Sequence, residues 1–221
     1  MRQVLSLRRP GMAVLCAVVC WSSVPAAQEQ WTKEMAAFEA QDAAAPPAPG
    51  GIVFVGSSSI RLWDLARSFP ALPVINRGFG GSQIVDSVRY VNLLVIRHKP
   101  RTVVFYAGDN DIAAGKTPAA VADDFRAFVR AVHAVLPQAR IAFIGIKPSI
   151  LRWGLITQVR EANALIRALC LEDERLGFVD VDGPMLGWDE KPRKDLLAED
   201  GLHLTPKGYE LWTTLTAPFL D

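Results

Sequence analysis

The segment Asp200-Gly201-Leu202-His203-Leu204-Thr205-Pro206 sets a carboxylate three residues ahead of an imidazole. That pairing suits a general base whose acid neighbour holds the ring in one tautomer. Thr205 has the side chain of a helix N-cap and Pro206 that of a first-turn residue, so the loop is predicted to rest on a helix start. Of the three histidines, His98 lies between Arg97 and Lys99 at a predicted helix end, and His133 lies inside the helical run Ala131 to Leu136. If the site is a triad, His203 is its base by elimination and Asp200 its orienting acid. Hydroxyls for such a base stand in Gly56-Ser57-Ser58-Ser59. Together the two segments suggest a serine hydrolase.

Three further segments bear on the chemistry. Ser57 suits an N-cap, which puts Ser58 in a first helical turn, where a backbone N–H without an intrahelical acceptor can face a developing oxyanion. The three serines would equally serve only to cap and solvate a helix start. Asn76-Arg77-Gly78-Phe79-Gly80-Gly81-Ser82 is a glycine-rich turn of the kind whose amides approach an anion, or one that packing alone requires. It is not a dinucleotide fingerprint, because Gln83 stands where the third glycine is needed.

Asn110, in Ala107-Gly108-Asp109-Asn110-Asp111, can donate a side-chain N–H to an oxyanion, with Asp109 and Asp111 orienting it or capping a turn. A plain turn would use the same residues. No histidine or further acid cluster stands near these carboxylates, so neither a metal nor another cofactor is expected. Lys147, Arg152 and Trp153 are expected on the substrate rim, the cations to meet an anionic group and the indole to stack on a sugar or touch an acyl chain. An ordinary helix entry with a packing tryptophan is the plainer alternative.

All these residues need elements to position them. Ile52 to Val55, Pro73 to Ile75, Thr102 to Tyr106, Ile141 to Ile144 and Phe178 to Val181 are short apolar runs without alternation. Such runs predict strands buried on both faces, as in a parallel sheet. Helical patterns fill the intervals over 60–69, 82–98, 118–136, 161–171 and 206–219. Alternation of strand and helix predicts an α/β protein, a three-layer α/β/α sandwich. Ligands of such sheets gather beyond the carboxyl ends of the strands, where the polar segments above fall.

Residues 1–27 read as a signal peptide, with Arg2, Arg8 and Arg9, an apolar run from Gly11 to Trp21, and small residues at Ala26 and Ala27 for cleavage. The apolar run is shorter than the roughly 20 residues of a spanning helix, so a secreted or periplasmic protein without a stable membrane span is expected. An uncleaved N-terminal anchor is the alternative. Residues 28–50 predict a helix from Trp31 to Ala40 and a Pro/Ala linker, and 51–221 a single domain. The chain has 24 basic and 23 acidic side chains, and cleavage would leave 21 against 23. No basic excess remains to hold a phosphate backbone, which argues against nucleic acid as a partner. Beyond the signal, Cys170 is the only cysteine, and its apolar neighbours predict a buried structural thiol.

In order along the chain, Gly56-Ser57-Ser58, Asn76 to Gly81, Gly108-Asp109-Asn110-Asp111 and Asp200-x-x-His203 resemble the four blocks of the SGNH hydrolases, also called GDSL-like lipases and acylhydrolases. Each block is weak alone, whereas four in sequence are specific. The resemblance implies Ser58 as nucleophile with Asp200 and His203, and an oxyanion hole made by the Ser58 and Gly81 amides and the Asn110 side chain. It also implies a flavodoxin-like sandwich with a five-stranded parallel sheet. The implied activity is that of a serine esterase or acylhydrolase, cleaving acyl or acetyl esters of small molecules or glycans through an acyl-enzyme. Ser57 departs from the pattern, whose first block has Asp there; the triad is untouched, but the bracing of the nucleophile turn changes. A carbohydrate O-deacetylase would use the same site, and a non-catalytic binding module is the rival from another class.

Overall fold

Apolar residues on both sides of each central strand leave no face for water, so the sheet is covered by helices above and below. The computed structural model describes residues 30–220, and the expected signal segment lies outside them. Helix α1 (Thr32–Ala44) is followed by β1 (Ile52–Gly56), α2 (Ser58–Arg61), α3 (Leu65–Ser68), β2 (Val74–Gly78), α4 (Ile84–Arg89) and α5 (Val91–Leu94). Then come β3 (Thr102–Tyr106), α6 (Asp109–Ala113), α7 (Pro118–His133), β4 (Arg140–Ile144), α8 (Ile156–Leu171), β5 (Leu176–Val179) and α9 (Pro206–Thr216).

All five strands run parallel in the order β2-β1-β3-β4-β5. Val53, Val55, Val103 and Phe105 point into one core, which Phe125, Phe128, Ala162 and Ile166 complete from α7 and α8. Ile52, Phe54, Val104 and Tyr106 point into the other, closed by Ile60, Trp63, Leu65 and Trp212. This is the three-layer α/β/α sandwich with a five-stranded parallel sheet that the strand runs predict. Burial of each large side chain contributes about 1.5–3 kcal/mol against the entropy of ordering the chain. Among the described residues, no helix is long and apolar enough to cross a membrane.

Several boundaries differ from the periodicity. The predicted 60–69 helix is split into α2 and α3, because the Asp64 carboxylate caps α3 by accepting from the Arg67 amide at 3.0 Å. The predicted 82–98 helix breaks into α4, α5 and a 3-10 turn over Ile96–His98, and ends at Lys99 in a left-handed conformation. β2 runs on to Gly78, so Asn76 and Arg77 are strand residues rather than loop residues, and buried Arg77 pairs with Asp42 of α1. β5 begins two residues earlier than its apolar run. α1 continues through Ala44 and packs Met35 and Phe38 into the core, beside Trp31 at its N-cap. Cys170 is buried, and burial pushes its thiol up to about 12.

The chain leaves β1 for the edge strand β2, then returns to β3 on the other side of β1. Such a reversal opens a crevice above the carboxyl ends of the strands. Gly56 stands in register with both Gly78 and Tyr106, so the loops after β1, β2 and β3 emerge at one level.

Candidate active site

The turn after β1 demands glycine at its first position. Gly56 has φ +138, and a Cβ there would lie 1.9 Å from the carbonyl oxygen of Tyr106. This close pass lets the Ser57 amide donate to that carbonyl at 2.9 Å, which bends the chain directly into α2. Ser57 is the N-cap by backbone position, yet its buried hydroxyl makes no capping bond. Ser58 is the first residue of α2 and partly exposed. Its amide belongs to the helix positions that lack an intrahelical acceptor.

At the other end of the chain, Thr205 caps α9 by accepting from the Gly208 amide at 3.1 Å, with Pro206 in the first turn. The loop ahead of it is held by Leu197 bridging to Leu204 and by the Ala198 amide donating to the His203 carbonyl at 2.8 Å. The structure thereby brings together residues 145 apart in sequence: His203 Nε2 lies 3.0 Å from Ser58 Oγ. His203 Nδ1 lies 2.5 Å from Asp200 Oδ2, while Asp200 Oδ1 accepts from the Leu202 and His203 amides at 2.9 Å each. The His203 hydrogen bond first, and those two amides next, hold the Asp200 carboxyl at about 2. An imidazole with Nδ1–H donated to a carboxylate leaves Nε2 free to accept a hydroxyl proton.

The loop after β2 packs on the nucleophile turn, where the Phe79 amide donates to the Gly56 carbonyl at 2.9 Å, and it meets the loop after β3. Gly81 has φ +77 and is exposed, and Ser82 turns inward to donate to the Phe79 carbonyl at 2.9 Å. Asn110 Nδ2 donates to the Ser82 carbonyl at 3.0 Å, so its amide lies against the Gly81–Ser82 turn. Asp109 and Asp111 have separate tasks. Asp109 Oδ1 accepts from the Asn110 amide at 3.0 Å. Buried Asp111 accepts from the Ile84 amide at 3.3 Å and pairs with Lys116 Nζ at 2.9 Å, which ties α6 to the start of α4. Burial raises the Asp111 carboxyl above its ordinary range despite Lys116.

The three residues expected on the substrate rim each have partners within the protein. Lys147 is buried, with Nζ 3.0 Å from Tyr106 Oη and 3.3 Å from Asp109 Oδ2, because a cation after β4 finds its carboxylate inside the fold. Arg152 is turned inward too, donating to Asn110 Oδ1 at 2.9 Å and pairing with Asp109 Oδ2 at 3.1 Å. Trp153 is half-buried and lines a separate cleft with Trp188, where Lys191 Nζ and the Arg160 guanidinium lie over its ring.

The cleft that does abut His203 and Asp200 has a volume of about 530 Å³. Leu62, Trp63 and Tyr209 line it, with Arg67 and Glu210 at its edge. None of these was expected on the substrate rim from sequence; Leu62, Trp63 and Tyr209 stand at an apolar spacing that reads equally as core. Tyr209 Oη donates to the Ser59 carbonyl at 2.9 Å, linking α9 to α2. Among the described residues, no group of three His, Cys, Asp or Glu side chains is placed to hold a metal ion.

A family model described as "GDSL-like Lipase/Acylhydrolase family" matches residues 59–211, more than two thirds of the chain. The match starts one residue after Ser58, so the place of that hydroxyl rests on geometry. The human protein named platelet-activating factor acetylhydrolase IB subunit alpha1 is 28% identical over 165 residues, covering 72% of this chain and 70% of that one. A GDSL-like lipase structure from Bacteroides thetaiotaomicron superposes with a TM-score of 0.74 at 19% identity, over 84% of this chain and 96% of that one. A lipase/acylhydrolase structure from Enterococcus faecalis gives 0.65 at 22% identity, over 77% and 94%. At these identities the two structures are alike in fold.

Proposed function

The chain belongs to the GDSL-like lipase/acylhydrolase family of ester hydrolases, and on that premise we propose that it cleaves carboxylic esters through an acyl-enzyme on Ser58. The observation that carries this reading is the 3.0 Å approach of His203 Nε2 to Ser58 Oγ. In the first step Ser58 Oγ attacks the acyl carbon and its proton passes to His203 Nε2, while the carbonyl electron pair moves onto oxygen. Asp200 holds the Nδ1–H tautomer and stabilises the imidazolium. The tetrahedral oxyanion is met by the Ser58 and Gly81 amides and by Asn110 Nδ2. Its collapse breaks the bond to the alkoxy oxygen, which leaves with the proton from His203. Water, deprotonated by His203, then attacks the acyl carbon; collapse breaks the bond to Ser58 Oγ, which takes the proton back from His203 as the acid leaves.

We extend to this chain the short acyl group in the name of its human relative, an acetylhydrolase. An acetyl group needs little room, and the apolar cleft of Leu62, Trp63 and Tyr209 beside His203 is left to other parts of the ester. Activity on p-nitrophenyl esters from two to ten carbons should be greatest at two. Export through the segment 1–27 is part of the same proposal.

The direct test is labelling by a fluorophosphonate, which reacts with an activated serine. Wild-type protein should be labelled at Ser58 and the Ser58→Ala variant not at all. Equal labelling of both would remove Ser58 as nucleophile.

A further inference from the structure

A primary amide can donate to an oxyanion only if its NH2 faces the reaction, and its two flipped orientations have nearly the same shape. The environment of Asn110 must therefore choose between them. A guanidinium has donors and no acceptor, so Arg152 Nη2 at 2.9 Å compels oxygen to face it. Flipping Asn110 would set two donors against each other and would also lose the 3.0 Å bond to the Ser82 carbonyl. One Nδ2 hydrogen remains beyond the one that Ser82 takes.

Arg152 is itself held. Its Nη1 pairs with Asp109 Oδ2 at 3.1 Å, and its amide donates to Ser149 Oγ at 3.3 Å. Lys147 Nζ shares the same carboxylate oxygen at 3.3 Å. Two cations thus face one carboxylate in a region where the Lys147 and Asp109 side chains are only 1% and 7% exposed. The cluster leaves positive charge behind Asn110, in surroundings where charge is weakly screened. A hydrogen bond accepted at Oδ1 also polarises the amide and strengthens the donor at Nδ2.

We propose that Arg152 is a positioning residue, which fixes and polarises the Asn110 amide so that Nδ2–H is presented to the oxyanion. This rests on the reading of Asn110 as an oxyanion donor. Arg152 acts through Asn110 and makes no contact with the substrate.

The test compares Arg152→Met, Asn110→Ala and the double variant by kcat and KM on p-nitrophenyl acetate. Arg152→Met, which keeps the aliphatic stem, should lower kcat about tenfold, part of the 10²–10³ that loss of a whole donor costs. KM should stay within about twofold, since positioning acts on the transition state. The double variant should be no slower than Asn110→Ala alone, because the two residues act as one unit. Arg152→Lys keeps the charge without the planar fork, and its kcat should fall between wild type and Arg152→Met. It carries the test if Arg152→Met does not fold.

Multiplied losses in the double variant, or a change confined to KM, would overturn the role of Arg152 and leave Asn110 in place. Wild-type turnover in Asn110→Ala would overturn the oxyanion reading and this proposal with it.

Discussion

The phenol of Tyr209 donates to the backbone carbonyl of Ser59 at 2.9 Å, across 150 residues of chain. It thereby ties the helix after His203 to the helix that begins at Ser58. Burial pushes the Tyr209 hydroxyl above its ordinary range, so it stays protonated and able to donate. Tyr209→Phe keeps the ring against Trp63 and Trp212 and removes only this bond. We expect a stability loss of about 1 kcal/mol in urea denaturation. Turnover should fall several-fold with KM little changed, since the Ser58–His203 approach loses a tie rather than a reacting group. Unchanged turnover would show that the two helices keep register without it.

Asn110→Ala should lower kcat by about 10²–10³. It also removes the bonds to Ser82 and Arg152, so a loss of about 1–2 kcal/mol in stability should accompany the kinetic effect. Steady-state kinetics beside a melting curve separates the two. Near-wild-type kcat in a folded variant would take Asn110 out of the reaction.

Gly56→Ala should prevent the nucleophile turn from forming as it does. The added Cβ would meet the Tyr106 carbonyl oxygen at 1.9 Å, and the φ of +138 is one that side chains avoid. A cost of at least about 3 kcal/mol is expected. Gly115 has φ +88, but beyond its chain neighbours nothing lies within 4 Å of the point where its methyl would stand, so Gly115→Ala should cost only about 1 kcal/mol. Equal denaturation midpoints for the two variants would contradict this difference.

The Asp200 carboxyl should titrate at about 2, below its unfolded value near 3.9. Because the folded value is depressed, the stabilisation it brings is present above about pH 4 and fades as pH falls towards 2. Asp200 is 47% exposed, so solvent screening keeps that contribution small. His203→Ala removes the largest cause of the shift, and carboxyl carbon NMR should show the midpoint rising towards its ordinary value. The Leu202 and His203 amides should keep it from rising fully. An unmoved midpoint would mean that the amides alone hold the carboxylate.

Local sequence determined those features whose causes are local. Apolar runs such as Thr102 to Tyr106 specify buried strands because no polar face is left to expose, and Thr205-Pro206 specifies a helix start because a cap and a fixed φ act within one turn. The order of the four polar segments was legible for the same reason: each follows a recognisable strand or precedes a recognisable helix. Only the tertiary structure decided how charges and hydroxyls pair. Lys147 and Arg152 look from sequence like cations for a substrate, yet both turn inward to Asp109, a partner some 40 residues earlier on the neighbouring strand's loop. Tyr209 and Trp63 carry the spacing of core residues, and their place beside His203 follows from α9 packing across α2. The difference is physical: propensity and capping energies depend on adjacent residues, whereas the partner of a buried charge depends on which loops the sheet order sets side by side.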